Sequence, residues 1–237
     1  MNALSLRKEF AKRKNPAKVK ILSGFFKTGK GEYAEGDRFY GVTVPEIRRI
    51  AKRYSALPLV EIKRLLEIGW HEERLCALLL LVERFKKGNP EERKKIVDFY
   101  LAHTKYINNW DLVDVTAHHI VGAYLWEKPR TILKKLARSK NLWERRIAIV
   151  ATFSFIRAGQ YGDTLNIAKL LLRDEHDLIH KAVGWMLREV GKRCGRMILE
   201  KFLKPRYQKM PRTMLRYAIE RFPESVRRRY LVTKKSY

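Results

Sequence analysis

The chain has only two cysteines in 237 residues, Cys76 and Cys194, and they stand far apart with no CxxC spacing. This excludes a metal ribbon or a disulfide framework and fits a reducing compartment. Long apolar runs are also missing. The longest, LCALLLLV at 75–82, falls well short of the ~20 residues that cross a bilayer. The opening MNALSLRKEF lacks the apolar stretch of a signal peptide, so a soluble, cytoplasmic protein is expected. No segment alternates apolar and polar residues as a half-buried strand does. Acidic residues are scarce, at 25 Asp and Glu against 52 Lys and Arg.

That imbalance gives a formal charge of +27 in a chain that is 46% hydrophobic and 11% aromatic. Such a composition excludes a basic disordered tail. A folded protein with this potential draws polyanions from a distance, and nucleic acid is the foremost partner class. The excess lies largely at the ends: residues 1–31 hold nine basic residues and one acidic, and residues 201–237 twelve and two. Solubility alone seldom requires so one-sided a surface.

Helical periodicity runs through most of the chain, as in VPEIRRIAKRY, EERLCALLLLVERFKK, RRIAIVATFSFIR and HKAVGWMLREVGK. Breakers at Pro45, Pro58, Gly88, Pro90, Pro129, Gly159, Gly195, Pro205, Pro211 and Pro223 cut it into about a dozen short helices, expected to pair antiparallel within a single unit, 1–237. Ala77, Ala117, Ala148, Ala182 and Ala218 recur at intervals of 40, 31, 34 and 36 residues, the range of two-helix repeats. Basic residues precede several of them: Arg74, Arg145 with Arg146, Lys181 and Arg212. Stacked repeats would bring these onto one basic concave face suited to a duplex. Residues 27–45, KTGKGEYAEGDRFYGVTVP, break the pattern and are expected to form an extended glycine-rich loop, and 223–237 a basic C-terminal segment. Gly24 to Lys30 has phosphate-loop spacing, but no strand precedes it and Gly31 stands where Ser or Thr would hold magnesium.

HDLIH at 176–180 imitates a zinc-protease motif. Asp177 is too short for the general-base role and no third ligand follows, so Asp174 or Asp177 is expected to cap a helix. His118 and His119, being adjacent, are expected to point apart on a helix and not to chelate. In NNWDLVD, 108–114, Asn108 or Asn109 caps a helix whose buried stripe is Val113, Ala117, Ile120, Val121 and Tyr124. Asp111 complements the dipole in its first turn, which accounts for it. Asp114 is left over, on one face with Trp110 at i and i+4. A carboxylate beside an apolar stripe needs a partner or a chemical task. LWERRIAIV sets Arg145 and Arg146 at a helix start, and KAVGWMLRE sets Trp185 between Lys181 and Arg188. Aromatic rings beside cations suit stacking or sugar contact combined with phosphate clamping.

GEYAEGDRFYGVTVPEIRRIAKRY, NNWDLVD, LWERRIAIV, HKAVGWMLREVGK and MPRTMLRYAIERF, taken in order from about residue 15 to 222, resemble the AlkD-type DNA alkylation repair family of HEAT-like repeat DNA glycosylases. The resemblance implies an all-α HEAT-like solenoid. It implies monofunctional hydrolysis of the N-glycosidic bond of cationic 3- or 7-alkylated purines in duplex DNA, without base flipping, as a step of base excision repair. Carried over by motif, Asp114 is the catalytic carboxylate, Trp110 and Trp185 are the sugar-contacting tryptophans, and Arg146 contacts phosphate. An early-helix aromatic, usually tyrosine, matches Phe25, with Phe26 beside it. Arg145, Lys181, Arg188 and Arg212 complete the DNA-binding set. No metal or organic cofactor is implied, and the chain is expected to act as a nucleoid-associated monomer. The other reading is a non-catalytic HEAT-repeat protein that binds duplex, branched or distorted DNA by charge and shape.

Overall fold

A computed structural model describes residues 1–67 and 69–232. Among these residues every regular element is helical; the extended backbone includes one isolated parallel bridge, Arg38 to Trp70. The chain divides into two compact units, Met1–Thr116 and Ala117–Tyr237. The first contains α1 (Ala3–Ala11), α2 (Pro16–Phe25), α3 (Val44–Arg53), α4 (Leu59–Glu67), α5 (His71–Lys87), α6 (Pro90–Ala102) and α7 (Trp110–Asp114). The second contains α8 (Thr131–Ala137), α9 (Leu142–Ala151), α10 (Phe153–Ile156), α11 (Gly162–Leu170), α12 (Asp177–Arg193), α13 (Arg196–Leu203), α14 (Arg212–Ala218) and α15 (Glu224–Leu231). Within the basic segment 223–237, Pro223 opens α15, while Lys234 and Lys235 lie outside the described residues.

Short polar residues begin these helices by accepting from amides that lack an intrahelical partner. Asn15 accepts from the Lys18 amide at 3.1 Å and Asn89 from the Glu92 amide at 2.9 Å, each followed by a proline whose missing N–H costs nothing there. The expected repeat alanines are all buried: Ala77 in α5, Ala117, Ala148 in α9, Ala182 in α12 and Ala218 in α14.

In the first unit α5 is the core. Leu75, Cys76, Ala77, Leu78, Leu80 and Leu81 are at most 3% exposed, so this helix is apolar on all sides, as a helix surrounded by others must be. Its first turn departs from that rule, because His71, Glu72, Glu73 and Arg74 are buried too. Glu72 accepts from the amides of Tyr40, Gly41 and Val42 at 3.0, 2.8 and 3.2 Å. Glu73 takes Arg7 at 2.9 Å and the Tyr40 hydroxyl at 2.7 Å. These carboxylates clamp the loop after α2, where Ala34, Phe39, Tyr40 and Val42 are buried. The expectation of an extended loop over 27–45 is therefore corrected: the segment folds back through turns and packs on α5, and α3 already begins at Val44. Gly41, at φ +83°, is required there, since a Cβ would stand 2.4 Å from the Asn15 carbonyl.

In the second unit α12 is central and packs against α9, α13 and α14. At Gly184 the α14 backbone comes so near that a Cβ would meet the Met214 carbonyl oxygen at 2.5 Å. Ile179, Val183, Met186, Leu187 and Val190 of α12 are fully buried.

Candidate active site

Asn109, fully buried, caps α7 by accepting from the Trp110 amide at 2.8 Å. The helix is only five residues long, so Trp110 and Asp114 are its two ends, one turn apart, and both are half-buried. Beyond it the chain passes through Thr116, whose hydroxyl donates to the Leu112 carbonyl and is hydrogen-bonded to the Tyr100 hydroxyl at 2.8 Å. Burial pushes the Tyr100 hydroxyl well above its usual pKa; the Thr116 bond works the other way and the nearby Asp114 charge adds to the rise. Of the expected buried stripe, Val113, Ala117, Ile120 and Val121 are buried, whereas Tyr124 is only half-buried.

Both early aromatics touch Trp110. Phe25, last in α2 and 59% exposed, meets it edge-on with centroids 5.7 Å apart. Phe26, at the end of α2 and buried, stacks on it at 5.3 Å and 25°. The structure thus brings Phe25, Trp110 and Asp114 together within the first unit. Exposed Phe25 can meet a ligand, and Phe26 supports Trp110 from beneath.

Below Phe26 lies a buried ionic cluster that sequence reasoning missed. His71, at the start of α5, donates from Nδ1 to Asp37 at 3.0 Å and from Nε2 to Asp111 at 2.8 Å. The Asp37 carboxylate also pairs with Arg74. Burial opposes the imidazolium, but Asp111 and Asp37 outweigh it and its pKa is pushed up to about 9. Burial likewise opposes the Asp37 charge, and His71 and Arg74 together hold its carboxyl below the usual range. Two expectations are corrected here. Asp111 does accept from the Leu112 amide at 2.9 Å, as a helix-start residue should, but its other oxygen is committed to His71. Arg74, expected to line a binding face, is 5% exposed because the buried Asp37 needs its charge. No local pattern connects position 71 with 37 or 111; only the unusual polar quartet HEER before an apolar helix hinted at it.

In the second unit the basic residues are more engaged than their spacing suggests. Arg145, at the start of α9, pairs with Asp174 at 2.6 Å and donates to the Ser139 and Lys140 carbonyls. Arg146 is buried and donates to the Leu178 carbonyl, joining α9 to the first turn of α12. On α12, Lys181 pairs with Asp177 at 2.8 Å, Trp185 is half-buried with its ring 6.0 Å from Phe153, and Arg188 pairs with Glu220. Exposed Arg212 donates to the Leu231 carbonyl at 2.8 Å.

The histidine expectations also change. His176, rather than Asp174 or Asp177, caps α12: its Nδ1 accepts from the Leu178 amide at 3.1 Å. His180 turns back to the Asp174 carbonyl. His118 and His119 do not point apart, since their ring centroids are 3.9 Å apart. They open a π-helical turn, His118–Gly122, whose wider winding rotates successive residues through a smaller angle than an α-helix does. His118 continues to Phe153 at 5.5 Å, so the rings run from His119 to Trp185. Among the described residues, no group of three or more His, Cys, Asp or Glu is arranged to hold a metal ion, and no helix is long and apolar enough to cross a membrane.

These features define a strongly basic, all-α protein carrying an indole and a carboxylate one helical turn apart above a ring-lined ionic floor. The chain belongs to the DNA alkylation repair enzyme family, whose profile matches residues 6–222. Among solved structures it is similar to a chain described as a predicted DNA alkylation repair enzyme from Enterococcus faecalis, at 20% identity and a TM-score of 0.69, over 90% of this chain and 98% of that one. That likeness establishes a shared fold. No curated protein matches the chain by sequence.

Proposed function

We propose that the protein is an AlkD-type, monofunctional DNA glycosylase that hydrolyses the N-glycosidic bond of cationic 3- or 7-alkylated purines in duplex DNA without flipping the base. Family membership across residues 6–222 supports the repair role. The single observation that carries the chemistry is the pairing of Trp110 and Asp114 one turn apart on α7, with Phe25 exposed beside them.

An alkylated purine already carries positive charge, so the base departs without a strong acid to protonate it. As the C1′–N bond breaks, its electron pair passes to the purine and neutralises it, leaving oxocarbenium-like charge on the deoxyribose. Asp114 stabilises that charge and orients the attacking water, which bonds to C1′ as its proton passes to the Asp114 carboxylate and on to solvent. Trp110 and Trp185, the two tryptophans matched by the family motifs, are assigned to offer electron-rich faces to the sugar. Arg146 is assigned to the strand's phosphates by its motif, although it is buried and bonded to the Leu178 carbonyl. Arg145, Lys181, Arg188 and Arg212, each already engaged within the protein, add positive charge beside the backbone. This scheme calls for no metal or organic cofactor. In this reading the helices form HEAT-like repeats with a basic DNA-binding face, and the chain works as a monomer at the nucleoid in base excision repair.

The test is release of free base from a duplex carrying 7-methylguanine, by wild type and by Asp114→Asn. Wild type is expected to release the base and the variant to bind the duplex without releasing it. Equal release by both sinks the assigned role of Asp114. Tight binding to duplex or branched DNA with no release by wild type supports the non-catalytic reading instead. Binding should weaken by orders of magnitude between low and moderate salt if about six to ten phosphates are contacted, and a flat salt dependence would refute DNA as the partner.

A further inference from the structure

The Asp37–His71–Asp111 cluster gives a buried imidazole more carboxylates than its own burial calls for. One carboxylate would satisfy a buried imidazole, and a neutral imidazole has one N–H to give. Here both ring nitrogens face carboxylate oxygens, at 3.0 and 2.8 Å, with all three side chains at most 15% exposed. A neutral ring would direct a lone pair at one of those carboxylates. Two ionised carboxylates, one on each nitrogen, call for the doubly protonated imidazolium.

The ring is also the meeting point of three segments. Its backbone amide donates to the Arg38 carbonyl at 2.9 Å, so the residue holds the loop through main chain and side chain together. Its plane lies against Phe26 and Phe39, each with centroids 4.7 Å away, and Phe26 and Phe39 stack on each other at 5.3 Å. A cation against aromatic rings is attracted by their electron-rich faces. Two paths lead from it to the site: through Asp111 into the first turn of α7, and through the Phe26 ring to the Trp110 indole.

We infer that His71 is a positioning residue of this site, tying Asp37 to Asp111 so that the short helix α7 and the ring floor present Trp110 and Asp114 to the damaged nucleotide in one fixed posture. The inference rests on the glycosylase reading of the site. A helix of one turn has too few internal hydrogen bonds to hold its own orientation, and small misplacements of a catalytic group are costly in rate. The charged and titratable groups around the ring are few. Asp37 comes from the loop and Asp111 from α7. Arg74, on α5, acts through Asp37. Glu72 and Glu73, also on α5, are committed to the amides of 40–42 and to Arg7 with Tyr40.

Three measurements test this. In wild type, the 15N shifts of the His71 ring should report an imidazolium at pH 7.5 that loses its proton near pH 9; a neutral ring at pH 7.5 overturns the inference without any variant. In protein labelled with 5-fluorotryptophan, the Trp110 resonance, assigned by Trp110→Phe, should shift with the same midpoint and lose that dependence in His71→Gln. A resonance indifferent to His71 overturns it. In single-turnover excision of 7-methylguanine at saturating enzyme, folded His71→Gln should be slower by roughly tenfold to hundredfold, with duplex affinity within about threefold of wild type. A purely structural role predicts instead a wild-type rate per folded molecule. If wild type itself releases no base, the glycosylase reading fails and takes this positioning role with it. If wild type excises and folded His71→Gln excises equally fast, only the His71 assignment falls.

Discussion

Adding one methyl group to this chain should have opposite effects at two helical glycines. At Gly184 in α12, a Cβ would stand 2.5 Å from the Met214 carbonyl oxygen and 2.5 Å from Tyr217 Cβ on α14. Ordinary contact begins near 3.4 Å, so about 0.9 Å must be found, and neither obstacle is the end of a flexible side chain. Inserting a carbon into such packing costs ~1–3 kcal/mol, and backbone on the far side puts the cost at the upper end. Replacing a helical glycine gains about 0.4–1 kcal/mol by restricting the unfolded chain. Gly184→Ala should therefore lose about 2 kcal/mol and melt ~4–8 °C lower. At Gly24 in α2 nothing lies within 4 Å of the added carbon, so only the gain remains and Gly24→Ala should melt ~1–4 °C higher. Thermal unfolding followed by far-ultraviolet circular dichroism and calorimetry reads both. If Gly184→Ala melts at or above wild type, α12 and α14 do not approach this closely and the packing argument fails.

Removing the Glu72 side chain should strand three buried amides, and at about 1–3 kcal/mol for each Glu72→Ala should lose at least ~3 kcal/mol; limited trypsin digestion should then cut within the lysine-bearing loop 27–43, and an intact loop would refute the clamp. His71 has a folded pKa above its unfolded value, so its contribution is complete below pH 6.5 and is lost as pH rises through about 9. Urea unfolding of wild type should show stability falling between pH 7 and 10 by an amount on the order of 3 kcal/mol, with a shallower slope in His71→Gln; parallel slopes would count against the paired imidazolium. Asp37 acts in the opposite sense, since its depressed folded pKa makes its contribution present above the ordinary carboxylate range and lost on acidification through the folded pKa. Phe26→Ala should cost about 3–5 kcal/mol as a buried ring. Phe25→Ala, at a 59% exposed position, should leave the melting temperature within a few degrees yet slow excision; the reverse ranking would mean that the two rings have been assigned the wrong roles.

Helix content, the proline and asparagine punctuation, the excess of positive charge and the pairing of Trp110 with Asp114 were all legible in the chain, because each is set by residues within one helical turn or by a sum over composition. A cap at Asn108 or Asn109 followed from the same local chemistry, and the structure makes it Asn109. Readings that depended on partners far along the chain went differently. Arg74 reads in the sequence as part of a basic face, yet Asp37, 37 residues away, takes its charge, and Arg145 is paired with Asp174, 29 residues away. His118 and His119 looked divergent on the assumption of α-helical winding, which the π-turn does not obey. Phe25 and Phe26 are adjacent letters in the same composition class, and only packing makes one exposed and the other buried.

The sequence by itself therefore determined the helical class, the polyanion-seeking charge and the indole and carboxylate at one-turn spacing, since these follow from local periodicity and the count of charges. Tertiary structure alone decided that Asp111 serves His71 as well as its own helix, and that α5 begins with a buried ionic turn. Burial of a charge is tolerable only beside its opposite, and no rule of spacing shows which distant residue will supply it.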